Sequence, residues 1–284
     1  MTITESKIKL AVENAMKNVL HENRQDELIA FHGSTHSFDE FDTAFIGTGE
    51  STQVYGWGLY MTGVEETGRY YAAIVAKNQN RKRKDDLAIV MNNKIEASIK
   101  KPFKMFRSGD ITFEQCKQLV IDNMKKNGVS DFFIEKYQKV KSAVDSRAFG
   151  AMALELATRA YKRFLYTVEL PDEGFIDWNE TDKNFIIQIY NKFRSAFNNL
   201  NVNIEKVKTF GELYCQIVGG KRCKSLYKPK NIIIQPEAVS KFLKQLGFVG
   251  ISVPIGNNHG GDNAGFNYVL FDKAFVKVIK KELI

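Results

Sequence analysis

The chain has 284 residues, 44% of them hydrophobic and 12% aromatic, which excludes a disordered polypeptide and allows one large domain or two ordinary ones. A formal net charge of +8 and a pI near 9.2 favour an acidic partner such as nucleic acid or an anionic ligand, against the plainer alternative of a lysine-rich solvated surface. No apolar run reaches the ~18 residues of a membrane-spanning helix, residues 1–10 lack the apolar core of a secretory leader, and Cys116, Cys215 and Cys223 are too widely spaced for a zinc site, so reduced thiols in a cytoplasmic compartment and no metal are expected.

Taken in order, residues 5–28 predict a helix, with Ile8, Val12, Ala15, Met16, Val19 and Leu20 at three- and four-residue spacing. The apolar run Leu28-Ile29-Ala30-Phe31 predicts a strand that breaks at His32-Gly33-Ser34. Residues 39–52 read as a loop, and Leu59-Tyr60-Met61 as a short strand between glycines. Thr62 and Glu65 have capping-box spacing for a helix from Val64 towards Lys77, carrying Tyr70 and Tyr71. From residue 78 to about 160 the composition turns charged and the period helical. Thr112 and Gln115 predict a second capping box, Gly128 a stop, and further helices fit 130–145 and 147–161. This block reads as a helical insertion. Residues 163–170 alternate and end at Pro171, as a strand should; Gly174 to Trp178 reads as another extended piece. Helices fit 181–199, 209–218 and the stretch from Pro236 to Leu246, the last closed by Gly247. Strands are expected at 248–253, 267–272 and 275–279, with a Gly- and Asn-rich loop over 256–265. Strands scattered among helices, without repeats or linkers, predict a single α+β domain over 1–284.

Chemistry-bearing residues concentrate between Phe31 and Tyr71. His32 follows a strand and precedes a glycine, so its imidazole offers one donor and one acceptor beside a backbone that a ligand can approach closely. A buried structural histidine is the simpler alternative. Gly47-x-Gly49 lacks the third glycine or the lysine of a phosphate loop. Gly56 and Gly58 make better sense as turn glycines that hold Tyr60 at a pocket edge. Tyr60 on a strand and Tyr71 on the following helix can face one cleft and enclose a flat ring, unless both simply pack in the core. Ser34 has no nucleophile-elbow context, and His21, His36 and His259 carry no motif. The basic runs Arg81-Lys82-Arg83-Lys84 and Lys221-Arg222-Cys223-Lys224 lack the interleaved aromatics of a single-strand binding groove.

In order, these pieces resemble the ADP-ribosyltransferase superfamily in its diphtheria-toxin and poly(ADP-ribose) polymerase branch, and most closely the domain found in polyvalent proteins of phages and mobile elements. The matching stretches are Phe31-His32-Gly33-Ser34, Ile46-Gly47-Thr48-Gly49-Glu50, Tyr55-Gly56-Trp57-Gly58-Leu59-Tyr60 and Tyr71. Phe164 to Leu170, Phe175-Ile176-Asp177-Trp178, Gly247 to Ile251 and Asn267 to Asp272 follow downstream. The resemblance covers about 28–280, outside the helical block. It implies a split β-sandwich core with an N-terminal helix and a large helical insertion at 78–160. It implies NAD as substrate, with His32 on its ribose, the Gly33 backbone on the nicotinamide amide, Tyr60 and Tyr71 around the ring, and Ser34 beside them. No metal and no membrane are implied; the acceptor would be a host protein or nucleic acid, met through the insertion. Active members place a glutamate where this chain has Asn267, and asparagine carries no charge and cannot act as a base. Mono-ADP-ribosyl transfer therefore replaces chain elongation as the expectation, with Asp262 or Glu50 as other carboxylate sources. NAD glycohydrolysis and an inactive NAD- or nucleic-acid-binding domain are the alternatives.

Overall fold

The computed structural model describes residues 28–46, 53–80, 86–197, 200, 202–219, 234–255 and 265–284. The expected N-terminal helix lies outside the described residues except for Leu28, as do Gly47, Gly49, Glu50, Asp262, His21, His259, Cys223 and both basic runs.

Seven strands form one mixed sheet: β1 (Leu28–Ser34), β2 (Leu59–Thr62), β3 (Phe164–Leu170), β4 (Phe175–Asp177), β5 (Gly250–Pro254), β6 (Phe266–Leu270) and β7 (Lys277–Leu283). Their order is β4-β5-β6-β2-β1-β3-β7, antiparallel throughout except for the parallel pair β4–β5. Pairing is dense within β4-β5-β6-β2 and within β1-β3-β7. Between β1 and β2 it shrinks to one register pair, Phe31 opposite Thr62. The core is therefore one sheet nearly parted at its centre, and the mixed α+β class expected from the sequence is what the chain adopts.

Eight helices are described: α1 (Glu65–Asn80), α2 (Leu87–Ser108), α3 (Phe113–Lys126), α4 (Asp131–Gln138), α5 (Ala143–Thr158), α6 (Lys183–Ala196), α7 (Phe210–Val218) and α8 (Pro236–Gln245). Strand alternation sorts the core. Ala30, Leu59, Met61, Tyr166, Val168, Tyr268 and Leu270 share one face of the sheet. That face is covered by the loop after β1: Phe38 stacks on Tyr166 at 4.1 Å, and the Tyr166 hydroxyl donates to His36 O and accepts from Phe38 N. Phe31, Tyr60, Thr62, Leu165, Ile251 and Val269 belong to the other face. There α6, α7 and α8 bury Phe193, Phe210, Leu213, Tyr214, Ile217 and Leu243 against the β4–β6 half. Helix α1 covers β1 with a stripe of small residues, Gly68, Ala72, Ala73 and Ala76, which lets it approach closely.

The block between α1 and β3 is helical, as expected, and encloses its own core around Ile95, Phe103, Val120, Met124, Tyr137 and Phe149. Asp86 caps α2 through Ala88 N and Ile89 N, and the Thr112–Gln115 capping box forms in full. Several boundaries differ from expectation. The first strand, expected to break at His32, runs on to Ser34, because His32, Gly33 and Ser34 stay paired with Tyr166, Leu165 and Phe164. The helix expected over 130–145 stops at Gln138, because Ser142 opens the next one by accepting from Asp145 N at 3.1 Å; that next helix ends at Thr158. Thr62 does not cap α1 with Glu65: it is the last residue of β2, and its hydroxyl accepts from Val64 N instead. The two last strands run at 266–270 and 277–283, with a short 3-10 turn at Lys273–Phe275 between them.

Candidate functional site

Past Phe31, the β2-facing edge of β1 has no strand partner, while its β3-facing edge stays paired to Ser34. The gap is bridged by a side chain. His32 Nδ1–H donates to the backbone oxygen of Tyr60 at 2.9 Å. The ring sits among aromatics, edge-on to Phe41 at 5.1 Å and tilted to Phe38 and Tyr166 at 6.4 Å. Burial lowers the His32 pKa below its ordinary 6.5, against a smaller raising effect of the Tyr60 carbonyl. The imidazole is thus neutral near pH 7, with its proton fixed on Nδ1 by the carbonyl it must satisfy. Nε2 keeps an acceptor lone pair and has no protein partner among the described residues.

This predicts a pH effect on stability. Because the folded pKa is the lower one, the unfolded chain takes up a proton below pH 6.5 that folded His32 refuses. The His32 contribution is favourable above 6.5 and erodes as pH falls towards the folded value. Urea midpoints measured between about pH 5 and pH 8 should fall more steeply on the acid side for the wild type than for His32→Asn; parallel curves would show that His32 does not titrate this way.

Tyr60 points to the helical face and packs on the α6–α8 core. Its hydroxyl is engaged both ways: it donates to Gly56 O at 2.8 Å and accepts from Tyr55 N at 3.0 Å. Tyr60 therefore fixes the 55–56 turn and offers a ring face rather than a free hydroxyl. Burial drives its pKa well up, with added repulsion from the phenols of Tyr214, Tyr55 and Tyr71. Tyr71, 39% exposed on α1, is likewise raised by burial and by Tyr55 and Tyr70. The phenols of Tyr60 and Tyr71 are thus close enough to interact, and Tyr55 joins them, edge-on to Trp178 at 5.3 Å. Sequence reasoning did not single out Tyr55; its place beside the turn glycines was the available signal. It also missed Tyr214 and Ser240, which hold the turn from across the fold. Ser240 Oγ–H donates to Trp57 O at 2.7 Å, and a Cβ on Gly56, whose φ is +106°, would lie 2.5 Å from the Tyr214 hydroxyl. No spacing in the chain announces contacts over such separations.

Gly33 has a packing duty first. A Cβ there would lie 2.0 Å from Gly68 O and 2.6 Å from Ala72 N, both backbone atoms of α1. Ser34 Oγ accepts from His36 N at 3.0 Å, and next to it Thr35 Oγ1 is buried without a hydrogen-bond partner. Asn267 lies on β6 opposite Thr62 on one side and Val253 on the other. One row thus crosses the sheet from Asn267 through Thr62 to Phe31, on the face that carries Tyr60. Asn267 is half-buried, and its side chain has no partner among the described residues. His32 is the exception in direction: alternation roots it on the opposite face, among Phe38, Phe41 and Tyr166, and it meets Tyr60 only through the backbone oxygen. No group of three His, Cys, Asp or Glu side chains able to hold a metal occurs among the described residues. No helix there is long and apolar enough to cross a membrane. Comparison with protein-family models, with curated proteins and with solved structures returned no match for this chain.

Proposed function

We propose that the parting between β1 and β2 binds NAD, and that the chain transfers its ADP-ribose unit to a nucleophile on a host protein or nucleic acid. The observation that carries this reading is the neutral His32 bridging the gap through the Tyr60 backbone oxygen, with Nε2 free among the described residues, while the phenols of Tyr55, Tyr60 and Tyr71 interact with one another on the Tyr60 side of the sheet. Nε2 can accept a ribose hydroxyl while the Nδ1 bond to Tyr60 O fixes the ring. Tyr60, anchored by two hydrogen bonds, and Tyr71 offer ring faces for nicotinamide. Gly33 lies on the unpaired edge, where peptide groups can meet an amide, and the orphaned Thr35 hydroxyl is a further polar group in want of a partner.

In the transfer, the bond between ribose and nicotinamide breaks and its electron pair leaves with the nicotinamide. The acceptor's lone pair forms the new bond to the same ribose carbon, and the acceptor releases a proton. The protein's part is to fix the ribose and align the two partners. Asn267 can hydrogen-bond a ribose hydroxyl but supplies neither negative charge nor a base, so a single transfer fits better than chain extension.

Labelled NAD incubated with the protein and a cell lysate tests this. Label on a macromolecule with stoichiometric nicotinamide release is expected, and neither should occur with His32→Ala. Release without a labelled acceptor would instead mean glycohydrolysis. The missing carboxylate favours one second reading, an NAD binder without turnover, which a thermal shift by NAD without nicotinamide release would identify. Asn267→Glu is expected to raise nicotinamide release by at least about tenfold, because a carboxylate there would stabilise the cationic ribose; an unchanged or lower rate would remove Asn267 from the ribose.

A further inference from the structure

An opening lies where the end of α5 meets β3 and the end of β7. It is a cleft of 740 Å³. Its walls are apolar, from Met152, Leu156 and Leu283, and its cations are Arg159, Lys162 and Arg163. Leu156 is 41% and Leu283 67% exposed, so both present apolar surface to whatever enters.

Arg163 is the unusual member. It is 4% exposed, yet its Nε is buried without a partner. Its recorded side-chain bond is from Nη1–H to Thr158 Oγ1 at 3.2 Å, and it forms no ion pair among the described residues. A guanidinium has five N–H donors, and a buried, unpaired cation is costly. Burial lowers its pKa, Glu155 acts the other way, and Arg69 on α1 adds like charge. Three cations face one wall carboxylate, Glu155, and the C-terminal end of α5, whose carbonyls amount to about half a negative charge. Cationic side chains thus outnumber acidic ones in the lining, which suits an anion such as a phosphate monoester.

We propose that this cleft is a binding site for an organic phosphate monoester. The phosphate meets Arg163 with Arg159 and Lys162, and the organic part lies against Met152, Leu156 and Leu283. The fork of an arginine suits such an anion better than a point charge does. The inference does not depend on the NAD reading, since the cleft shares no residue with the parting.

Calorimetric titration of the full chain with phenyl phosphate provides the test. Wild type should bind it, and bind inorganic phosphate more weakly. The double variant Arg159→Ala, Lys162→Ala, altered at two exposed positions, should lose affinity at least about tenfold. Leu283→Glu should lose it too, by placing a negative charge on the exposed wall. His32→Ala should bind as wild type does. No binding by wild type, equal binding by the double variant, or equal affinity for inorganic phosphate would each overturn the proposal. Loss of binding in His32→Ala would move the phosphate to the parting and overturn it as well.

Discussion

Gly33→Val is expected to lose at least about 3 kcal/mol of stability, a large part of the ~5–15 kcal/mol of a typical domain. The atoms a Cβ would strike, Gly68 O at 2.0 Å and Ala72 N at 2.6 Å, are backbone, so no rotamer change relieves the clash. Helix α1 would have to lift off β1, carrying Tyr71 with it. Gly68→Ala is the graded comparison. Its Cβ would meet Leu165 Cδ1 at 2.9 Å and Phe31 Cβ at 3.1 Å, side-chain atoms that can yield a little. Its cost should be about 1–2 kcal/mol. Urea unfolding of both variants decides; a Gly33→Val midpoint at or above that of Gly68→Ala would contradict the close helix–strand approach.

Tyr60→Ala should cost about 3–5 kcal/mol, from the lost ring in the α6–α8 core and the two bonds that tie down the 55–56 turn. Tyr60→Phe keeps the ring and should cost about 2 kcal/mol. If NAD is held between ring faces, Tyr60→Phe should keep most of its NAD affinity at a temperature where it stays folded, while Tyr60→Ala should not. Equal NAD affinity in wild type and Tyr60→Ala would remove Tyr60 from the binding site.

Much of this architecture could be read from local chemistry. The Thr112–Gln115 box, Thr209 ahead of α7, Pro236 opening α8 and Gly247 closing it at φ +96° are signals confined to a few neighbouring residues, and each stands where expected. Where local signals failed, a longer-range claim had priority. Thr62 has the spacing of a cap but is held in β2 by Asn267 and Phe31, so its backbone cannot serve α1. His32 and Tyr60 were legible as candidates from their types and surroundings. That Tyr60 spends its hydroxyl on Tyr55 and Gly56, and that His32 spans a parted sheet, depends on strand order, which no short stretch encodes. The buried Arg163 was invisible for the same reason: its neighbours Arg69 and Leu283 are brought to it only by the fold.

The sheet order also bears on how the chain is made. Strand β1 finds its long partner, β3, about 130 residues later, and β3 is itself flanked only when β7 emerges at the end of the chain. The helical block between them draws its core from residues 91 to 153, so it can close on the ribosome while the sheet is still incomplete. During that interval the apolar segment Leu28-Ile29-Ala30-Phe31 is synthesised but unpaired, with one future rung to β2 as its only earlier contact within the sheet. Nascent chains halted before residue 164 should therefore hold a folded helical unit and an exposed, self-associating strand, which makes that early strand the point where a chaperone is most needed.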